Sequence, residues 1–332
     1  MSGTGDAAGR EPGKRPTVWI ARRLTDATIE RARRDYEVLI DDEDGPNDAD
    51  RIVEMSARAD AIVPCHSEAF DAATVARLDG RLKIVANHSV GVDHCDLEAL
   101  KARGVVVTNT PEVLNDATAE IVMLLMLGAA RRAVEGERTV RSGAWTDWNP
   151  AFLLGRQVTG HRLGILGMGG IGKVVARRAR GFDMEVHYHN RTRLPEDEEG
   201  GATYHDTLEG LFRVSEFLSV NCPSTSATRR IVNRETLAML PEGAILVNAA
   251  RGAVVDEEAL VEALRSGRLA AAGLDCFEVE PGGNPAFAEL DNVFMLPHLG
   301  SATVETRDAM GARALDNLDA FFAGREPPDR LV

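Results

Sequence analysis

Residues 162–193 read RLGILGMGGIGKVVARRARGFDMEVHYHNRTR. An apolar run, Leu163 to Leu166, leads into Gly167, Gly169 and Gly172 in the pattern G-x-G-x-x-G, with Met168, Gly170 and Ile171 between them. A helical pattern over 173–181 comes next, then a second strand over 185–190. Such a strand–turn–helix–strand unit needs its glycines. The first permits the tight turn, the second lets backbone approach a pyrophosphate, and the third lets helix and strand pack closely. The open amides and positive end of the helix then face the phosphates. The stretch reads as a dinucleotide site and predicts a parallel, helix-covered sheet around it.

The same alternation runs through the rest of the chain. In the first third, strands are predicted at 17–20, 37–40, 61–64, 82–86 and 105–108, with helices at 25–34, 48–57, 67–78 and 96–103. After the glycine unit come strands at 217–221, 244–248, 271–274 and 293–296. Counting the two strands of that unit, the second half has six. Asp256 is a natural cap for a helix over 257–266. An amphipathic helix is expected over 304–322. Between the halves, Asn109-Thr-Pro111 breaks the chain, and Asn115 or Asp116 is expected to cap a long helix reaching Arg141. Alternation of this kind gives an α/β fold of two doubly wound parallel-sheet domains. With 332 residues, two domains can each bury a core.

Composition narrows the partners. A net charge of −14 leaves no basic excess for nucleic acid. Arg22, Arg23, Arg31, Arg33 and Arg34 are followed by acidic residues 41–44, which reads as a solvated helix face. The longest apolar run, 121–130, is about half a membrane span, so no membrane segment is expected. Cys65, Cys95, Cys222 and Cys276 make no paired motif, which suits reduced thiols in a cytoplasmic protein. Residues 1–16, rich in Gly, Pro and charge, read as a disordered tail. His66, His88 and His94 match no metal-ligand spacing, so no metal is expected.

Residues able to do chemistry cluster after predicted strands. The turn His88-Ser-Val-Gly-Val-Asp-His94 comes after the strand at 82–86. Gly91 there suits amides aimed at a small anion, and a plain turn reads equally well. In the second half, Arg251 lies past the strand ending at Asn248. Its guanidinium fork matches a carboxylate. Asp275, Glu278 and Glu280 come after the strand at 271–274, and His298 after the next. A histidine near a carboxylate is a candidate acid–base pair. Trp145 and Trp148, in a polar loop, suit either an interface or a substrate contact.

Four motifs in order, Gly167-Met-Gly-Gly-Ile-Gly172, Asn248-Ala-Ala-Arg-Gly252, Gly273-Leu-Asp275 through Glu280-Pro281, and Pro297-His-Leu-Gly-Ser301, resemble the D-isomer-specific 2-hydroxyacid dehydrogenase family. The resemblance covers nearly the whole chain after Arg15 and is strongest to the glyoxylate/hydroxypyruvate reductases. It implies a Rossmann cofactor domain, residues 112–297, inserted into a flavodoxin-like substrate domain, residues 17–111 plus 298–332. It also implies a homodimer whose interface uses the long helix near Asp116. Hydride would pass from the nicotinamide to the carbonyl of a small 2-oxo acid such as glyoxylate or hydroxypyruvate.

By the same resemblance, Arg251 binds the substrate carboxylate and His298 is the general acid. Glu280 pairs with His298 and favours its charged form. Ser89, Val90 and Gly91 offer backbone amides to the substrate carboxylate. Asp275 hydrogen-bonds the nicotinamide carboxamide. Cofactor contacts are further implied for Cys222, Pro223 and Thr228, for Asn248, Ala249 and Ala250, and for Gly300. The resemblance leaves two other readings open: a phosphoglycerate dehydrogenase-like enzyme, and a nucleotide-sensing corepressor without turnover.

One position departs from the common pattern. An Asp or Glu about twenty residues past the glycines binds the ribose 2′-hydroxyl in NAD enzymes. Eighteen residues after Gly172 stands Asn190, followed by Arg191, Thr192 and Arg193. Arg191 and Arg193 suit a 2′-phosphate, so NADP(H) is the expected preference, with NAD(H) as the alternative.

Overall fold

The computed structural model describes residues 15–332. The chain forms two compact units. One runs through Leu114 and resumes over Ala302–Val332; the other is Asn115–Ser301. Both junctions fall three to four residues later than the sequence suggests. His298 therefore belongs to the second unit, because the backbone N–H groups of His298, Leu299 and Gly300 bond to Asp275 within it. The tail expected over 1–16 lies, for residues 1–14, outside the described residues. Residues 15 and 16 are anchored. Arg15 donates to the carbonyls of Arg33 and Arg34, and the Pro16 carbonyl accepts from Glu37.

The first unit is a five-stranded parallel sheet: β1 (Thr17–Ile20), β2 (Glu37–Leu39), β3 (Ala61–Val63), β4 (Ile84–Ala86) and β5 (Val106–Thr108). Their order is β2-β1-β3-β4-β5. Parallel sheets are covered on both faces, so their central strands read as continuous apolar runs. Trp19, Ile62, Val85 and Val107 face one layer; Val18, Ile20, Val63 and Ile84 face the other. The helix predicted over 67–78 is shorter, Ala72–Arg77. Asp71 caps it by accepting from Thr74 N, and Phe70 is used in a bridge to Cys95.

The final helix, Val304–Phe322, packs in this unit with Ala314, Leu315 and Leu318 in the core. It is tied down by one of the arginines expected to be solvated. Arg31 donates to Asp316 Oδ1 (2.6 Å), to Asp319 Oδ2 (2.7 Å) and to the Ala312 carbonyl. Asp329, buried beyond the helix, accepts from Nε and Nη2 of Arg313 at 2.6 and 2.7 Å and also from Asn317 Nδ2. This pins the terminal segment, where Leu331 N donates to the Val107 carbonyl.

The second unit is a seven-stranded parallel sheet: β6 (Arg162–Leu166), β7 (Glu185–His189), β8 (Thr203–Tyr204), β9 (Phe217–Val220), β10 (Ala244–Asn248), β11 (Leu269–Leu274) and β12 (Val293–Met295). The order is β12-β11-β10-β9-β6-β7-β8. The extra strand, β8, has two residues, too few for an alternation signal. The order reverses at β6, whose neighbours are β7 and β9. That reversal creates the crevice in which ligands of such sheets bind.

The long helix expected to reach Arg141 is two helices, Asn115–Ala130 and Ala133–Arg141, broken at Arg132 with a left-handed φ of 54°. Asn115 and Asp116 lie inside the first turn rather than capping it. Asp116 instead pairs with Arg177 and Arg178 of the helix Gly170–Arg180. The apolar run 121–130 is explained by burial. Val122, Leu125 and Met126 are fully covered beside Ile165, Val175 and Ile245. No helix among the described residues is long and apolar enough to cross a membrane.

Replacing Asp329 by Ala strands the Arg313 and Asn317 donors and releases the C-terminal segment. Loss of a charge-assisted pair with a buried partner should cost about 2–3 kcal/mol. Thermal unfolding of Asp329→Ala should start several degrees lower; an unchanged transition would show the segment is not held this way.

Candidate active site

The glycine turn lies between β6 and the helix Gly170–Arg180. Gly167 has φ 93°. A Cβ there would come within 2.7 Å of Cys222 N, and one at Gly172 within 2.6 Å of the Gly167 carbonyl. At Gly169 a Cβ would meet nothing within 4 Å. Packing thus demands the outer two glycines, while the middle one faces open space. Gly169 caps the helix without a side-chain hydrogen bond, so its first amides are available to an anion. This cradle fits a dinucleotide pyrophosphate. Gly170 abuts the Asn115 side chain, and Ile171 is half-buried. Met168 is buried. Beyond β9, Cys222 backs the turn, and Thr228 Oγ1 donates to the Pro223 carbonyl (2.6 Å), ordering that loop.

Asn190, past the end of β7, uses its carboxamide on the turn itself. Met168 N donates to Oδ1 (2.6 Å), and Nδ2 donates to the Met168 carbonyl (3.3 Å). Arg191 is exposed. Arg193, expected to clamp a phosphate, is exposed and bonded to Glu199, with Nε to Oε1 at 2.7 Å and Nη2 to Oε2 at 3.1 Å. The sequence shows Glu199 only as the last acid of a run that looks solvated.

A second group gathers past β10, β11 and β12. The buried Asn248 side chain shapes the turn after β10, accepting from Ala250 N and donating to the Arg251 carbonyl. Ala249 and Ala250 are half-buried there. Arg251 is extended, and its Nη1 donates to the Ala250 carbonyl (2.8 Å). A Cβ on Gly252 would lie 1.8 Å from the Phe277 carbonyl carbon. Only glycine lets the loops after β10 and β11 touch.

Glu280 accepts from Phe277 N (2.8 Å) through Oε1, and its Oε2 lies 2.6 Å from His298 Nδ1. The carboxylate therefore faces one ring nitrogen and assigns the other, Nε2, to exchange with a reacting group. Asp275, fully buried, accepts Leu299 N (2.7 Å) and Gly300 N (2.8 Å). Burial pushes its carboxyl up, opposed by those amides and by His298. Its oxygens thus first serve the chain that carries His298. Cys276, which looks like an isolated thiol in the sequence, is buried with Sγ 3.4 Å from the Ala250 carbonyl and 3.9 Å from His298 Nδ1. Glu278, the remaining carboxylate, pairs with Arg229 and Arg230.

In the first unit, Ser89, Val90 and Gly91 sit just past β4. Their carbonyls are committed to Thr110 N, Asn109 Nδ2 and Ser89 Oγ respectively. Among the described residues, their amides carry no hydrogen bond, which suits an anion. His88 is buried and desolvation drives its ring down to about 4, so it is neutral. His94 Nε2 bonds Asn87 Oδ1 at 2.7 Å. Trp145 and Trp148 are exposed.

Comparison with known proteins places the chain in a family. The model for "D-isomer specific 2-hydroxyacid dehydrogenase, NAD binding domain" matches residues 123–300. A glycerate dehydrogenase from Hyphomicrobium methylovorum is 43% identical over 93% of this chain and 97% of its own. A glyoxylate reductase from Thermococcus onnurineus is 42% identical over 95% of each. An NADPH-dependent glyoxylate/hydroxypyruvate reductase from Sinorhizobium meliloti, solved with NADP and malonate, superposes with a TM-score of 0.86 at 34% identity, covering 96% of this chain and 97% of that one. The chain belongs to the D-isomer-specific 2-hydroxyacid dehydrogenase family.

Proposed function

We propose that the protein reduces a small 2-oxo acid, glyoxylate or hydroxypyruvate, to glycolate or the D-2-hydroxy acid, with NADPH preferred over NADH. The observation that carries this reading is the 2.6 Å pairing of His298 Nδ1 with Glu280, in the same strand-end cluster as Arg251. When bound, the nicotinamide supplies hydride to the substrate carbonyl carbon. Arg251 binds the substrate carboxylate and polarises the neighbouring carbonyl. His298 delivers a proton to the carbonyl oxygen from Nε2. Glu280, at Nδ1, stabilises the imidazolium that donates it. The cations meet developing alkoxide charge, so they stabilise the transition state more than the ketone. The Ser89–Gly91 amides suit the same carboxylate chemistry. The names of the glycerate dehydrogenase and glyoxylate reductase relatives support both substrates.

The NADPH preference is supported by Asn190 standing where an acid would repel a 2′-phosphate, and by exposed Arg191 beside it. A homodimer is supported by the apolar surface on the second unit, where Leu124, Val140, Trp145, Trp148, Phe152 and Leu154 are exposed.

Steady-state rates with both substrates should give a higher kcat/KM for NADPH than for NADH; equality or the reverse order sinks the preference. Arg251→Ala should lower kcat/KM at least about 100-fold, roughly 3 kcal/mol of transition-state binding. Activity within a few-fold of wild type would remove Arg251 from this role. Glu280→Gln takes away the carboxylate that faces His298 Nδ1 at 2.6 Å and should lower kcat for reduction at least about tenfold with KM little changed. An unchanged kcat would argue against the pairing. Sedimentation should give a dimer that Trp148→Asp weakens.

A further inference from the structure

The segment after β7 is held by a carboxylate concealed in an acidic run. In the short helix Glu196–Glu199, the first three residues are exposed and Glu199 is buried. Its Oε1 accepts from Tyr188 Oη (2.6 Å) and from Arg193 Nε (2.7 Å); its Oε2 accepts from Arg193 Nη2 (3.1 Å). Tyr188 is itself fully buried, and its hydroxyl accepts from Leu194 N (3.2 Å). Tyr204 Oη donates to the Asn190 carbonyl (3.4 Å), and the Arg193 guanidinium lies over the Tyr204 ring, 5.6 Å from its centre. Residues 190 and 193–194 are thus anchored, with Arg191 and Thr192 between the anchors; residues 191–193 are all exposed.

The two arginines beside Asn190 are therefore not equivalent. One fork edge of Arg193 is bound bidentately, with its charge matched by Glu199. Moving it to a phosphate would strand a buried carboxylate. We infer that Arg191 alone supplies the charge that selects a 2′-phosphate, and that Arg193, bound to Glu199, anchors the segment for either cofactor without reading the phosphate. This rests on the NADPH preference proposed above. Arg193 and Tyr188 hold the Glu199 carboxyl down at about 2. The pair therefore stays charged at neutral pH, and its stabilisation fades only as pH falls from the ordinary glutamate range towards 2.

The test is calorimetric titration of the purified protein with NADP+ and NAD+, together with KM and kcat for the reduced forms. Arg191→Ala should raise the Kd for NADP+ at least tenfold and that for NAD+ less than twofold. Arg193→Ala should raise both Kd values together and both KM values with kcat kept. The ratio of the two affinities should stay within twofold of wild type. Arg193→Lys, which keeps one donor to Glu199, should lie closer to wild type. Should Arg193→Ala fold poorly, the paired change Arg193→Met with Glu199→Gln leaves no stranded charge and should likewise preserve the ratio. A tenfold loss of NADP+ selectivity in either Arg193 variant, with wild type preferring NADP+, overturns this assignment alone. Wild type binding NAD+ as tightly as NADP+ overturns the cofactor reading as well.

Discussion

Asp275 is the constraint on which the candidate site depends. It follows β11 as a fully buried acid and accepts two backbone amides from residues 299–300, while its own carbonyl accepts His298 N. Three hydrogen bonds from one residue bind a loop that has no secondary structure of its own. They set His298 at φ 54°, a backbone conformation that needs outside support. They also draw the chain through Ser301 into the second unit before it returns to the first. The His298 ring so placed meets Glu280, which is itself pinned by Phe277 N.

Parallel topology does the rest of the gathering. Every strand of the second unit points the same way, so the residues just past each strand arrive at one edge of the sheet. The glycine turn, Asn190, Cys222, Arg251, Asp275 and His298 are widely spaced in the chain but all lie beyond strand ends. Close approach tightens the arrangement at Gly252, where no side chain fits against the Phe277 carbonyl. Cys276 occupies the space between the Ala250 carbonyl and the His298 ring. It is a packing neighbour of both functional loops.

At the other side of the reversal in strand order, charge is arranged by hydrogen bonding. Asn190 closes on the glycine turn through its carboxamide, a neutral group that neither repels nor attracts a phosphate strongly. Arg193, itself exposed, gives one edge of its guanidinium to the buried Glu199 carboxylate, which burial would otherwise penalise, and exposed Arg191 stands beside it. Two cations that look alike in the sequence thus have different surroundings.

What the sequence by itself determined is the α/β class, most strand positions and the members of the strand-end cluster. Apolar runs of four to six residues, glycines at required spacing and polar residues just past each run are local signals, readable without neighbours. Tertiary structure alone decided four further points. Arg31 turned from a surface cation into a tether for the last helix. The helix expected to reach Arg141 broke at Arg132, and His298 fell on the second unit's side of the junction. Arg193 gained a buried partner in Glu199. In each case the deciding partner lies elsewhere in the fold, or a few residues away on a different element. Burial and hydrogen-bond geometry depend on that placement, and neither is encoded in spacing along the chain.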